Sequence, residues 1–212
     1  MKDIVSLLAS DQAQEPVYAN YPHGRSLGLP MYDLEHSDLC AFSCLIISNS
    51  ADQRYLQRRR AQLQSYLEQG GRIAFSGHVA YPFLDALSPY QPTPEPGLAG
   101  LQVHNLGQHP IWAGISDADL TFRKGVAGFY GRGYNPPPPG ALVTATLGTQ
   151  QTLPLDWILR LPSGGELLVH AGNDFLSFSN APSAVGMHAA FFDWAAGLAP
   201  KQLTLQELDH VA

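Results

Sequence analysis

Ser76, Gly77 and His78 stand directly behind a short apolar run, Ile73-Ala74-Phe75. Such a run reads as a buried strand, and an elbow at the carboxyl end of a parallel strand is where open α/β sheets carry their sites. Ser76 there has the position of a nucleophile, given a nearby base and oxyanion donors. The alternative is a hydroxyl that satisfies a turn amide. The flanking Phe-Ser-Gly-His differs from the Gly-x-Ser-x-Gly elbow of α/β-hydrolases. His78 could serve as general base or ligand donor, because imidazole titrates near neutrality. It reads equally as a turn or core histidine, with Gly77 offering its backbone to a substrate. His170 and Asp174 flank Ala-Gly-Asn behind a second apolar run. A carboxylate beside an imidazole fixes its tautomer and raises its basicity; the plainer role for Asp174 is to cap the next turn. Asn49, behind a third apolar run, Asn173 and His109 are polar groups suited to substrate binding, although His109 before Pro110 also reads as structural. Tyr130, Arg132 and Tyr134 share a Gly-punctuated loop that suits a hydroxyl-rich or carboxylated ligand, unless the loop packs its own aromatics. No two histidines have the i, i+4 spacing of a zinc-enzyme helix. Neither a metal nor a cofactor is expected.

These residues need elements to hold them. Near-continuous apolar stretches at 3–9, 42–47 and 72–76 read as parallel strands covered on both faces. Shorter strands are expected over 101–106 and 141–147, and runs at 155–161 and 166–170 around Gly164-Gly165 suggest an antiparallel hairpin. Between 52 and 69, Leu56, Leu63, Tyr66 and Leu67 form one stripe and Arg54, Arg58, Arg59 and Arg60 face outward, which predicts a helix stopped by Gly70. Further helices are expected over 79–87 and 187–198. Residues 10–34, with Tyr18, Tyr21, His23, Arg25 and Tyr32, show no period and read as a long loop or a short hidden helix. In a parallel sheet the ends of 72–76 and 166–170 share one edge, so 76–78 and 170–174 should face one crevice that the 130–134 loop can cover. An antiparallel hairpin could instead carry His170 to the opposite edge.

With 212 residues and 45% hydrophobic content, one domain over 1–212 with a full core is the default. A net charge of −6 disfavours nonspecific nucleic-acid binding, which needs a basic face. No apolar run reaches the ~18 residues of a membrane span, and no signal-peptide pattern opens the chain, so a cytoplasmic protein is expected. Cys40 and Cys44 are too few for a disulfide framework and read as reduced, buried thiols.

The helix ending in Gly70-Gly71, the apolar strand and the Ser76-Gly77-His78 turn together resemble the class I glutamine amidotransferase-like fold, and within it the trehalose-utilisation (ThuA-like) family. His109-Pro110-Ile111 with Gly114-Ile115 resembles a ThuA-like segment. So does the succession Pro154 and Trp157, Gly164-Gly165, His170, Gly172 and Asp174, then Trp194-Ala195-Ala196-Gly197. The likeness runs from about residue 40 to 198. It implies a flavodoxin-like three-layer α/β sandwich, with a mainly parallel central sheet and helices on both faces. It also implies an enzyme acting on a small polar metabolite such as a sugar derivative. Amidotransferases carry a cysteine on this elbow; Ser76-Gly77 departs from that and argues against glutaminase chemistry. Two other readings remain open. One is an inactive domain that binds a ligand or partner protein; the other is a subunit of a larger enzyme or a homo-oligomer.

Overall fold

The computed structural model describes residues 2–9 and 26–198; Tyr18, Tyr21, His23 and Arg25 lie outside them. The fold is mixed α/β around an eight-stranded sheet. In chain order the strands are β1 (Asp3–Leu8), β2 (Ser26–Pro30), β3 (Phe42–Ile47), β4 (Arg72–Ser76), β5 (Val103–Asn105), β6 (Leu142–Leu147), β7 (Leu153–Arg160) and β8 (Glu166–His170). Across the sheet they run β2-β1-β3-β4-β8-β7-β6-β5. The pairings from β2 through β8 are parallel, and those from β8 out to β5 are antiparallel.

The central strands are apolar at nearly every position because both faces are covered. In β1, Ile4 packs with Cys44, Ala74 and Leu168 on one face, while Val5 and Leu7 pack with Leu45, Ile47 and Phe75 on the other. The second face is covered by α1 (Gln53–Arg58) and α2 (Arg60–Glu68), which bury Leu56, Leu63, Tyr66 and Leu67. The Asp52 side chain caps α1, and Arg59 (φ −96°, ψ 9°) breaks the expected single helix in two. Arg59 and Arg60 point outward into ion pairs with Glu35 and Asp85. After a short helix α3 (Asp117–Thr121), α4 (Met187–Ala195) lays Met187, Phe191, Phe192 and Trp194 on the first face, together with 3-10 turns at Pro110–Trp112 and Phe175–Phe178.

Two further expectations need correction. Residues 79–87 form no helix but a chain of bends. Pro82 has no amide to give, and the His78 carbonyl that a helix would use accepts instead from Gln53 Nε2. Val79, Phe83, Leu84 and Leu87 still fill the core from this irregular path. The stretch 26–30, read as loop, is the edge strand β2. Its Gly28 and Pro30 are tolerated because β2 has a partner on one side only.

Candidate functional site

The parallel pairing of β4 with β8 settles which edge the second constellation occupies. His170 is the register partner of Ser76, so both strands end side by side. The expected antiparallel hairpin exists, but β7 is the strand that runs back, and it places Asp156 opposite His170. Ser76, His170 and Asp156 therefore stand in a row across three neighbouring strands, on the face that also holds Ala74, Leu168 and Ile158.

Asp156 and His170 are both fully buried. His170 Nδ1 lies 2.5 Å from Asp156 Oδ1. The other carboxylate oxygen accepts from the Tyr130 hydroxyl at 2.7 Å, and that hydroxyl accepts from Trp112 Nε1 at 2.8 Å. An ionised carboxylate only accepts, so the Asp156 pairing puts the Nδ1 proton on His170. The Tyr130 phenol is held well above its usual titration range, first by burial and then by the Asp156 charge. His170 Nε2 is buried without a hydrogen-bond partner among the described residues. The ring packs against Tyr130 and Phe175, with centroids 4.7 and 5.6 Å away. Gly172 makes this packing feasible: a Cβ there would stand 1.9 Å from the Tyr130 carbonyl and 2.6 Å from His170 Nε2.

The elbow is fixed from several sides. Gly77 has φ +146°, which a side chain rarely adopts, and its amide donates to the His170 carbonyl at 2.9 Å. Buried Asn135 donates to the Gly77 carbonyl and accepts from the Val79 amide, while its own carbonyl takes the Trp157 indole proton. Gln53 accepts from the amides of Ala80 and Tyr81. Ser76 is 8% exposed. His78 is exposed and stacks on Tyr90 at 3.6 Å. Burial, and then the neighbouring His170, lower its pKa.

Of the residues singled out in the sequence, Ser76, Gly77, His78, His170, Asn49 and Asn173 gather at this edge. Asn49 Nδ2 donates to Asn173 Oδ1 at 2.8 Å, and the Asn49 backbone packs against Gly77. Tyr130 enters as a buried network member rather than as a cover. Arg132 is exposed and bonds the Gly128 carbonyl, but its charge reaches Tyr90, which stacks on His78. Tyr134 is drawn aside to Gln91, where Gln91–Pro92 pairs with Gly133–Tyr134. Asp174 caps the turn at Phe175–Phe178 through the Leu176 amide, and its charge is felt by His188. His109 caps the turn at Pro110–Trp112 and senses Glu166, at the far end of β8 from His170. Asp156 and Asn135 carry no sequence motif; the available signal was an acid in the middle of the apolar run Leu155 to Leu159.

A cavity of about 500 Å³ opens at the opposite, amino edge, among Lys2, Cys40, Phe42, Gln69, Arg72 and Gly197. Its Arg72 is already paired with Glu166 at 3.3 Å. Among the described residues no three His, Cys, Asp or Glu side chains gather as metal ligands, and no helix is long and apolar enough to cross a membrane.

The fold, a mostly parallel central sheet with helices packed on it, has a counterpart among solved structures. It is similar to the mmIFT52 N-terminal domain, with a TM-score of 0.53 at 11% identity over 96% of this chain and 100% of that one. A β-galactosidase from Rahnella sp. R3 aligns at a TM-score of 0.45 and 14% identity over 89% of this chain and 31% of that one, too distant to bear on the argument. The first likeness is one of fold alone. No family model and no curated protein matches the chain.

Proposed function

We propose that the chain is a class I glutamine amidotransferase-like domain of the ThuA-like type, with a flavodoxin-like three-layer plan. It acts as an enzyme on a small polar metabolite such as a sugar derivative, at the carboxyl edge of the sheet. The observation that carries this reading is the buried His170–Asp156 couple abreast of the elbow serine, with one imidazole nitrogen left without a partner among the described residues. Asn49 and Asn173 at the rim supply amide groups of the kind that bind hydroxyls. One observation favours the alternative of an inactive domain that binds a ligand or partner: Tyr130 and Phe175 pack over the same couple, leaving His170 no exposed surface.

Glutaminase activity is expected to be absent. Cys40 lies ahead of β3 and Cys44 within it, where burial pushes the thiol far above its usual range. Ammonia release from glutamine that disappears when both cysteines are changed to serine sinks this expectation. For the polar-metabolite reading, a panel of sugars, sugar acids and sugar phosphates is titrated while backbone amide shifts are followed. Perturbation centred on 76–80 and 170–174 is the expected result. Perturbation confined to other surfaces, or none at all, leaves the inactive-domain reading in its place.

A further inference from the structure

We propose that Ser76, His170 and Asp156 form a nucleophile, base and carboxylate relay that cleaves carboxylic esters of small polar alcohols. This rests on the enzymatic reading above and assigns that site its reaction.

Sheet register supplies the geometry. Residues opposite each other on adjacent strands project from the same face, so Ser76 and Asp156 flank His170 on its two neighbouring strands. The ring commits Nδ1 to Asp156. Nε2 lies against Gly172, where a Cβ would stand 2.6 Å from it, and Ser76 is the register partner of His170 on the neighbouring strand β4. Nε2 is buried and has no partner among the described residues. An unmade hydrogen bond of this kind is costly, and functional sites are where such atoms are kept. No hydrogen bond holds the Ser76 hydroxyl among the described residues, and the residue keeps a sliver of exposure. At the elbow the amides of Gly77, Val79, Ala80 and Tyr81 are committed to His170, Asn135 and Gln53. Among the described residues the His78 amide has no such partner, and it is the donor offered to an oxyanion. The chain order is nucleophile, acid, histidine, as in α/β-hydrolases, although the elbow sequence differs.

In the proposed step Ser76 Oγ attacks the ester carbonyl carbon and its proton passes to His170 Nε2. The new Oγ–C bond forms, the bond from that carbon to the alcohol oxygen breaks, and the imidazolium proton leaves with the alcohol. Water then adds to the acyl carbon, giving a proton to Nε2. The Oγ–C bond breaks, the carboxylic acid departs and the proton returns to Ser76. Asp156 holds the tautomer and stabilises the imidazolium throughout.

The test uses a fluorophosphonate, which phosphonylates activated serines, and p-nitrophenyl acetate as a chromogenic ester. The expected result is label on the peptide carrying Ser76, none there in Ser76→Ala, and labelling and hydrolysis slowed ~10²–10⁴-fold in Asp156→Asn. Should Asp156→Asn fail to fold, Ser76→Cys serves instead. A thiol beside an imidazole ionises below its ordinary range. That variant should therefore be alkylated by iodoacetamide at position 76 faster at pH 6.5 than at Cys40, read by peptide mapping. An unlabelled Ser76, or position-76 alkylation no faster than Cys40, overturns the relay. If sugars still perturb 76–80 and 170–174, only the relay falls; if they do not, the enzymatic reading falls with it.

Discussion

His170 meets Asp156 because an antiparallel ladder sets them opposite each other, and Tyr130 and Trp112 complete the donors around the buried carboxylate. Buried ionic groups contribute little net stability when all partners are present, but removing one partner strands the others. Asp156→Ala should therefore lower stability by about 3–5 kcal/mol in urea unfolding. Tyr130→Phe, which leaves one carboxylate oxygen and the Trp112 indole unpaired, should cost about 1–3 kcal/mol. Both act on one network, so the double variant should lose clearly less than the sum of the singles. Additive losses mean the groups do not interact. Half of this couple was legible in the sequence. His170 stood out at the end of an apolar run beside a Gly-Asn turn. Its carboxylate did not, because the four-residue spacing to Asp174 suggested a local partner while Asp156 lies a strand away in the chain. Asp174 turns instead to the Leu176 amide.

At the scale of elements, Asn135, a side chain from a distant loop, is one of the groups that hold the elbow. Asn135 serves the Gly77 carbonyl and the Val79 amide, and its backbone carbonyl serves Trp157. Asn135→Ala removes the first two and leaves buried backbone groups unpaired, at an order-of-magnitude cost of about 2–4 kcal/mol. Hydrogen exchange should quicken first at Val79; protection there unchanged from wild type contradicts the clamp. This dependence explains what the sequence did and did not reveal. Strands β1, β3 and β4 were plain, since continuous apolar runs mark strands buried on both faces. The antiparallel pairing of β7 and β8 followed from Gly164-Gly165 between two apolar runs. The segment 79–87 had helix-compatible apolar residues, yet the amides of Val79, Ala80 and Tyr81 are satisfied by Asn135 and Gln53, side chains remote in sequence. Edge strand β2 was hidden by Gly28 and Pro30, which lower strand propensity without preventing pairing on one side.

For the whole molecule, histidines set against the covered sheet lose part of their hydration on folding. His78, His109 and His188 all have lowered pKa values, in each case first through burial. A histidine whose folded value is depressed binds its proton more weakly folded than unfolded. Its stabilising contribution is then complete above the unfolded value of about 6.5 and is lost as pH falls through the folded value. Stability should accordingly drop on going from pH 7.5 to pH 5. An opposing effect acts over the same range: the charge of −6 shrinks toward the pI near 5.7 and relieves self-repulsion. Comparing variants at equal pH separates the two. His109 is the informative site, because its Nδ1 accepts the Ile111 amide at 3.4 Å and protonation there removes the acceptor. His109→Asn keeps a side-chain oxygen that can cap the same turn but cannot titrate. The melting temperature of this variant should fall less between pH 7.5 and 5 than that of the wild type, with the two curves closest at the high end. Parallel curves mean that His109 does not couple folding to pH.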